Sequence, residues 1–279
     1  MIFWIASYPK NGNTWLRSIL SAYYFTKDGN FKDDKILKNI PQFPEKKYFT
    51  NFVYDKKIPT ATTRFWIKAQ EIINKDKKIK FFKTHNAYSS IDSYNFSNKL
   101  NSIAAIYIVR DPRNVITSFA RHNSKEIEDT LELLINDLTI GNEKNEPEVY
   151  MGSWNFNYNS WKVYNSSNKY FLVKYEDLVN DTKKVFIQTL NFINKVANIN
   201  ISIDEDKIDK AIKTTSFSRM QNLEEQFGFE EAKINEITGQ KVKFFNLGPK
   251  NHWENSLDEK LRKKIENRFK KEMIELNYL

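Results

Sequence analysis

Four short apolar runs punctuate the first two-thirds of the chain: IFWIA at 2–6, IKFFKT at 79–84, AAIYIVR at 104–110 and YFLVKY at 170–175. Between them lie stretches with helical periodicity, Thr14–Phe25, Thr62–Asn74 and Pro112–His122, and the last third adds 182–195, 206–213 and 257–276. Strand-like runs rich in Ile, Val, Phe and Tyr that alternate with helices predict a parallel sheet covered on both faces, an α/β fold. Irregular stretches at 28–60, 86–101, 141–152 and 221–250 are long for loops, a length usual in functional segments. With no internal repeat, charge block or low-complexity linker, residues 1–279 read as one domain.

Ligands of open parallel sheets gather at the carboxyl ends of the strands. Here those ends are chemically loaded, with YPKNGNTW after the first run, KTH closing the second, RDPRNVITS from the third and YEDL from the fourth. In the first loop, Pro9 limits the backbone, Gly12 lets it approach a ligand closely, and the following helix turns unsatisfied N–H groups toward an anion. Lys10 adds a full charge, while Asn13 and Thr14 add side-chain hydrogen bonds. By themselves these residues also fit an ordinary strand-to-helix turn with a solvated lysine. Lys83 and His85 at the second end pair a charge stabiliser with a group that takes a proton near neutral pH. Arg110 and Ser118, eight residues apart with Ser118 about two turns further along a proline-started helix, offer a fork and a hydroxyl for phosphate.

Composition narrows the chemistry. The chain has no cysteine and three histidines, which excludes disulfides, thiolate nucleophiles and cysteine-ligated metals and disfavours a histidine cluster. A net charge of +9 favours anionic partners, although lysine-rich surfaces also serve solubility. No signal peptide or run of about 18 apolar residues is visible, so a soluble, cytoplasmic protein without a transmembrane segment is expected.

Taken in order, these blocks resemble the sulfotransferases that use 3′-phosphoadenosine 5′-phosphosulfate (PAPS). YPKNGNTW is similar to that family's Y-P-K-S-G-T-T-W loop, KTH and RDPRNVITS to its next two blocks, KYEDL to Y-E-D-[LM], and TSFSRM at 215–220 to T-S-F-x-x-M. FFNLGPKNHWENSL followed by ELNYL is similar to the family's ending, R-K-G-x-x-G-D-W…L-S…L-G-Y. The resemblance spans nearly the whole chain. It implies a single α/β domain with a central parallel sheet flanked by helices, a P-loop nucleotide-kinase-like fold.

It also implies roles. Lys10, Asn11, Gly12, Asn13 and Thr14 would hold the 5′-phosphosulfate, with Lys10 at the bridging oxygen. Trp15, Thr215, Phe217 and Met220 would flank the adenine, and Tyr175 would reach the nucleotide. Arg110, Ser118 and the block at Gly248 would take the 3′-phosphate. His85 would deprotonate the acceptor hydroxyl, supported by Lys83. PAPS would be the co-substrate, released as PAP, with no metal expected. The acceptor would be a small molecule or a carbohydrate, not nucleic acid. A kinase of related fold would want a lysine directly before Ser or Thr and a carboxylate for Mg²⁺, neither of which is evident. A non-catalytic polyanion-binding module would explain the charge but not the KTH histidine.

The last block departs from the family pattern. Asn246 and Leu247 replace the Arg and Lys, and Asn251 stands at the second glycine, leaving Lys243 or Lys250 to compensate. The family's cytosolic enzymes wall the acceptor pocket partly with a longer N-terminal segment. Here 28–60, 86–101 and 123–160 are expected to supply that wall, and they are rich in aromatics such as Tyr48, Phe52, Tyr88, Trp154 and Trp161, though such residues more often form core. No dimer motif is recognisable near the C-terminus, so the sequence sets no oligomeric state.

Overall fold

The structure is a computed structural model that describes every residue except 56, 57, 59, 142–145, 236 and 237. Its strands are β1 (Ile2–Ser7), β2 (Lys80–Thr84), β3 (Ser90–Ile91), β4 (Tyr94–Asn95), β5 (Ser102–Val109), β6 (Ile140–Gly141), β7 (Val149–Tyr150) and β8 (Tyr170–Lys174). The α-helices are α1 (Asn13–Phe25), α2 (Trp66–Ile73), α3 (Pro112–Asn123), α4 (Ile127–Ile135) and α5 (Trp154–Trp161), followed by α6 (Tyr175–Asn180), α7 (Thr182–Ala197), α8 (Glu205–Thr214), α9 (Phe217–Phe227) and α10 (Glu259–Glu275).

The four apolar runs form one parallel sheet in the order β2-β1-β5-β8, as expected. The remaining strands make two short antiparallel ribbons within segments read as irregular. Side chains alternate across a strand, so each face of the sheet collects its own core. Trp4, Ala6, Ala105, Tyr107 and Val109 face one cluster, shared with α5 and α10. Phe3, Ile5, Ala104, Ile106 and Ile108 face the other, shared with α1 and α7. From β1 the chain steps to β2 on one side and later returns to β5 on the other. The crevice between the carboxyl ends of β1 and β5 is therefore the topological switch point.

Three departures from the sequence reading have physical causes. α9 runs to Phe227, so the irregular stretch begins only at Gly228, whose φ of 77° closes the helix. Its buried Met220 and Leu223 lie three residues apart, a helical interval hidden in a motif-rich stretch. α5, whose sequence WNFNYNSW is poor in strong helix formers, forms because Trp154, Tyr158 and Trp161 fall on one buried face. The helix expected over 62–74 is α-helical only from Trp66, after a single 3₁₀ turn at Thr63–Phe65.

The predicted aromatic wall is mostly core. Phe49, Trp66, Trp154 and Trp161 are fully buried, with Tyr48, Phe52, Tyr54, Phe65 and Tyr88 packed against the same cluster. Among the described residues, no helix is long and apolar enough to cross a membrane.

Candidate functional site

The loop from Tyr8 to Gly12 leaves β1 at the switch point and delivers the chain into α1. Lys10 (φ 64°) and Gly12 (φ 96°) both sit in the left-handed region, which makes the turn tight. Gly12 caps α1 without a side-chain bond; Trp15 N–H turns back to the Gly12 carbonyl at 3.1 Å, which leaves the N–H groups of Asn13 and Thr14 at the open start of the helix. The two asparagines turn their amides inward. Asn11 Nδ2 donates to the Ile108 carbonyl of β5 at 3.2 Å, and Asn13 Nδ2 donates to the Ile5 carbonyl at 3.0 Å and to Ser7 Oγ at 3.1 Å. Those amides brace the loop against the strand ends. The Thr14 hydroxyl and Lys10 point away from the strand ends instead, toward Glu231 and Phe244.

His85 follows β2 beside β1. Its Nδ1 lies 2.8 Å from the Ser7 carbonyl and 3.3 Å from Ser7 Oγ. A carbonyl only accepts, so in the neutral ring Nδ1 carries the proton and Nε2 keeps the free lone pair. Burial, followed by Lys83 and Lys10, brings the His85 pKa down to about 3 against the weaker pull of Ser7 and Glu231, so the ring is neutral across the physiological range. The backbone of His85 is held as well: Asn157 Nδ2 donates to its carbonyl at 3.0 Å, and Asn157 Oδ1 accepts from Tyr107 at 2.8 Å. Asn157 was missed in the sequence; it lies 72 positions away in a segment without motif character.

Lysines 10 and 83 complete a cationic cluster. Lys83 is buried at the end of β2. Burial pulls the Lys10 ammonium down to about 7, with Lys83, Arg110 and Lys233 adding repulsion and Glu231 opposing it. Lys10 Nζ stands 4.1 Å over the ring of Phe244. Glu231, also missed, reaches into this cluster. Its Oε2 accepts from Thr14 Oγ1 at 2.9 Å, and its Oε1 accepts from Arg17 Nη1 at 2.5 Å and Lys83 Nζ at 3.0 Å.

A second anion-ready group lies at the end of β5. Arg110 is buried over the ring of Tyr175 at 4.2 Å; its Nη2 donates to the Gly248 carbonyl at 3.1 Å, while its Nε has no partner. An orphaned donor on a buried guanidinium fits an anion. Ser118 is half-buried on α3, two turns further along. Arg113, in the same sequence block, serves the fold instead: its salt bridges to Asp111 and Glu266, each 2.7 Å long, tie α3 to α10.

The aromatic residues expected around the adenine come together in part. Trp15 meets Tyr175 edge-on at 6.0 Å, and the ring of Phe217 presses on Gly248, where a Cβ would come within 2.1 Å of it. Met220 is buried in the core, and the Thr215 hydroxyl is spent on the Ala211 carbonyl at 2.7 Å. In the divergent C-terminal block, Asn251 receives Arg121 Nη1 on its Oδ1 at 2.8 Å and donates to the Asn114 carbonyl at 2.9 Å, pinning the turn to α3. Lys243 pairs with Glu225 at 2.8 Å, and Lys250 is exposed. Arg121, which no motif marked, thus joins Arg110 on the Gly248 carbonyl in contacting this block.

Cationic side chains and the start of α1 thus converge beside a neutral histidine. The sulfotransferase domain family matches residues 2–277. The chain belongs to the sulfotransferase family. Sulfotransferase 1E1 of Bos taurus is 23% identical, covering 96% of this chain and 82% of its own length. The luciferin sulfotransferase of Photinus pyralis is 23% identical, over 96% of this chain and 70% of its own. Among solved structures, mouse sulfotransferase SULT7A1 complexed with PAP superimposes with a TM-score of 0.58 at 20% identity, covering 98% of this chain and 84% of that one. Retinol dehydratase in complex with androsterone and PAP gives 0.60 at 15% identity, covering 98% and 80%. At such identities the structural likeness establishes the shared fold. Among the described residues of this sulfotransferase, no group of three or more His, Cys, Asp or Glu is placed to hold a metal ion.

Proposed function

We propose that this sulfotransferase moves the sulfuryl group of PAPS to a hydroxyl of a small-molecule or carbohydrate acceptor, with His85 as general base. The observation that carries the reading is the hydrogen bond from His85 Nδ1 to the Ser7 carbonyl, which leaves Nε2 unprotonated beside Lys83 and Lys10. In the transfer, the acceptor oxygen attacks sulfur as its proton passes to Nε2. The bond from sulfur to the phosphate oxygen breaks, and the electron pair stays on PAP. Lys10, Lys83 and the N–H groups at the start of α1 meet the charge that gathers on the leaving oxygen. The buried Arg110 with its orphaned Nε, and Ser118, take the 3′-phosphate, while Tyr175, Trp15 and Phe217 frame the base.

Relatives named for a 3-beta-hydroxysteroid in Cavia porcellus and for luciferin favour a small hydroxylated acceptor over a glycan. The test is transfer of label from radiolabelled PAPS to pooled steroids, phenols, alcohols and oligosaccharides. Label on a hydroxylated small molecule is the expected result. Label only on oligosaccharides would move the acceptor to a glycan, and no transfer to any pool would reject the reading.

A further inference from the structure

Glu231 lies where a sulfotransferase needs its positive charge for the incoming nucleotide. It takes a hydrogen bond from Thr14 at the start of α1 and ion pairs from Arg17 and Lys83. The residues flanking it are packed against one another. Phe229 packs against Phe244 and Phe245 with ring centroids 4.8 and 4.9 Å apart, and the Glu224 carboxylate accepts the N–H groups of Phe244 at 2.6 Å and Phe245 at 2.9 Å. The same segment lays Phe244 against Lys10. The lysines at the proposed seat are thus engaged by two residues, Lys83 by the Glu231 carboxylate and Lys10 by the Phe244 ring.

We propose that Glu231 is a built-in occupant of this seat, so that PAPS enters by exchanging its phosphosulfate for the carboxylate. The inference rests on the PAPS reading above. A cluster holding Lys10, Arg17 and Lys83 repels itself when no anion is present, and the carboxylate relieves that repulsion. Burial raises the Glu231 pKa, but Lys83 and Arg17 outweigh it and hold the group well below the usual carboxylate range. Protonation therefore does not release it near neutral pH; a competing anion does. The fraction of molecules with the seat open scales the apparent affinity directly. Arg17, freed by the exchange, becomes available to the nucleotide. The opposite arrangement is a latch, in which Glu231 stays on Lys83 and closes the segment over bound PAPS.

Calorimetric titration of PAPS into wild type, Glu231→Gln and Glu231→Ala separates the two, with each variant first shown to melt cooperatively. Exchange predicts that both variants bind PAPS about tenfold tighter or more. Equal binding overturns it, and weaker binding overturns it in favour of the latch. A crystal structure of wild type with PAPS needs no variant: the Glu231 carboxylate should have left Thr14 and Lys83, and a carboxylate still bonded to both overturns the exchange. If none of the three proteins binds PAPS, the PAPS reading itself fails and takes the inference with it.

Discussion

The ring of Tyr175 lies directly over Gly12: a Cβ built on Gly12 would stand 2.5 Å from Tyr175 Cδ2. The two residues come from the ends of β1 and β8, which are separated in the sheet by β5. Their contact closes the loop on the side of Arg110, because the same ring carries the Arg110 guanidinium on it. Glycine is required twice here, for its φ of 96° and for the space.

Gly12→Ala is therefore expected to lower stability by about 1–3 kcal/mol, from left-handed strain and displacement of the Tyr175 ring. PAP binding should weaken with it. A thermal melt and a calorimetric titration check both, and an unchanged melting temperature would show that the ring yields freely.

His85→Ala should abolish turnover while PAP still binds, since among the described residues the ring's hydrogen bonds go to Ser7. Undiminished turnover would remove it as the base. Because its pKa is brought down to about 3 in the free enzyme, kcat/KM should show no acid limb near pH 6.5 that belongs to this histidine.

The same shift bears on stability. The folded pKa of His85 is depressed below the unfolded value, so the unfolded chain binds the proton more readily between those two values. Its contribution is fully present above about pH 6.5 and is lost as pH falls toward 3, and the downward shift of the half-buried His122 acts in the same direction. Melting temperature should fall between pH 7 and pH 5, and a flat profile would contradict the desolvation of both rings.

Lys10 should make nucleotide binding pH-dependent. An anion beside it raises its pKa from about 7, so binding takes up a proton above that pH. Affinity is greatest below pH 7 and declines as pH rises, by up to tenfold per unit until the bound-state pKa is passed. Titration of PAP in buffers of different ionisation enthalpy at pH 8 measures that uptake, and Lys10→Met should eliminate it.

Arg110→Ala should weaken PAP binding by about 2–4 kcal/mol, since it removes a buried charged partner of the phosphate. An unchanged dissociation constant would take Arg110 out of the site.

How much of this was legible in the chain depends on range. The strands, the cradle at Lys10–Thr14, His85 and Arg110 could all be read because each is written within a few residues as an apolar run with its own terminal motif. α5 was not legible, since its helix rests on the burial of Trp154, Tyr158 and Trp161 rather than on propensity. The inward turn of Asn11 and Asn13 was equally hidden. The sequence shows two polar side chains in an anion loop, and only the neighbouring strand ends decide that their amides face the carbonyls of Ile108 and Ile5.

The sequence by itself determined the family, the parallel sheet and the positions from which charge is delivered, because local pattern and motif order carry that information. The tertiary structure decided what those charges meet. Glu231 reaches Thr14 across 217 positions and Asn157 reaches His85 across 72. Such contacts follow from how the chain returns over the carboxyl ends of the strands, and no spacing within one segment records that return.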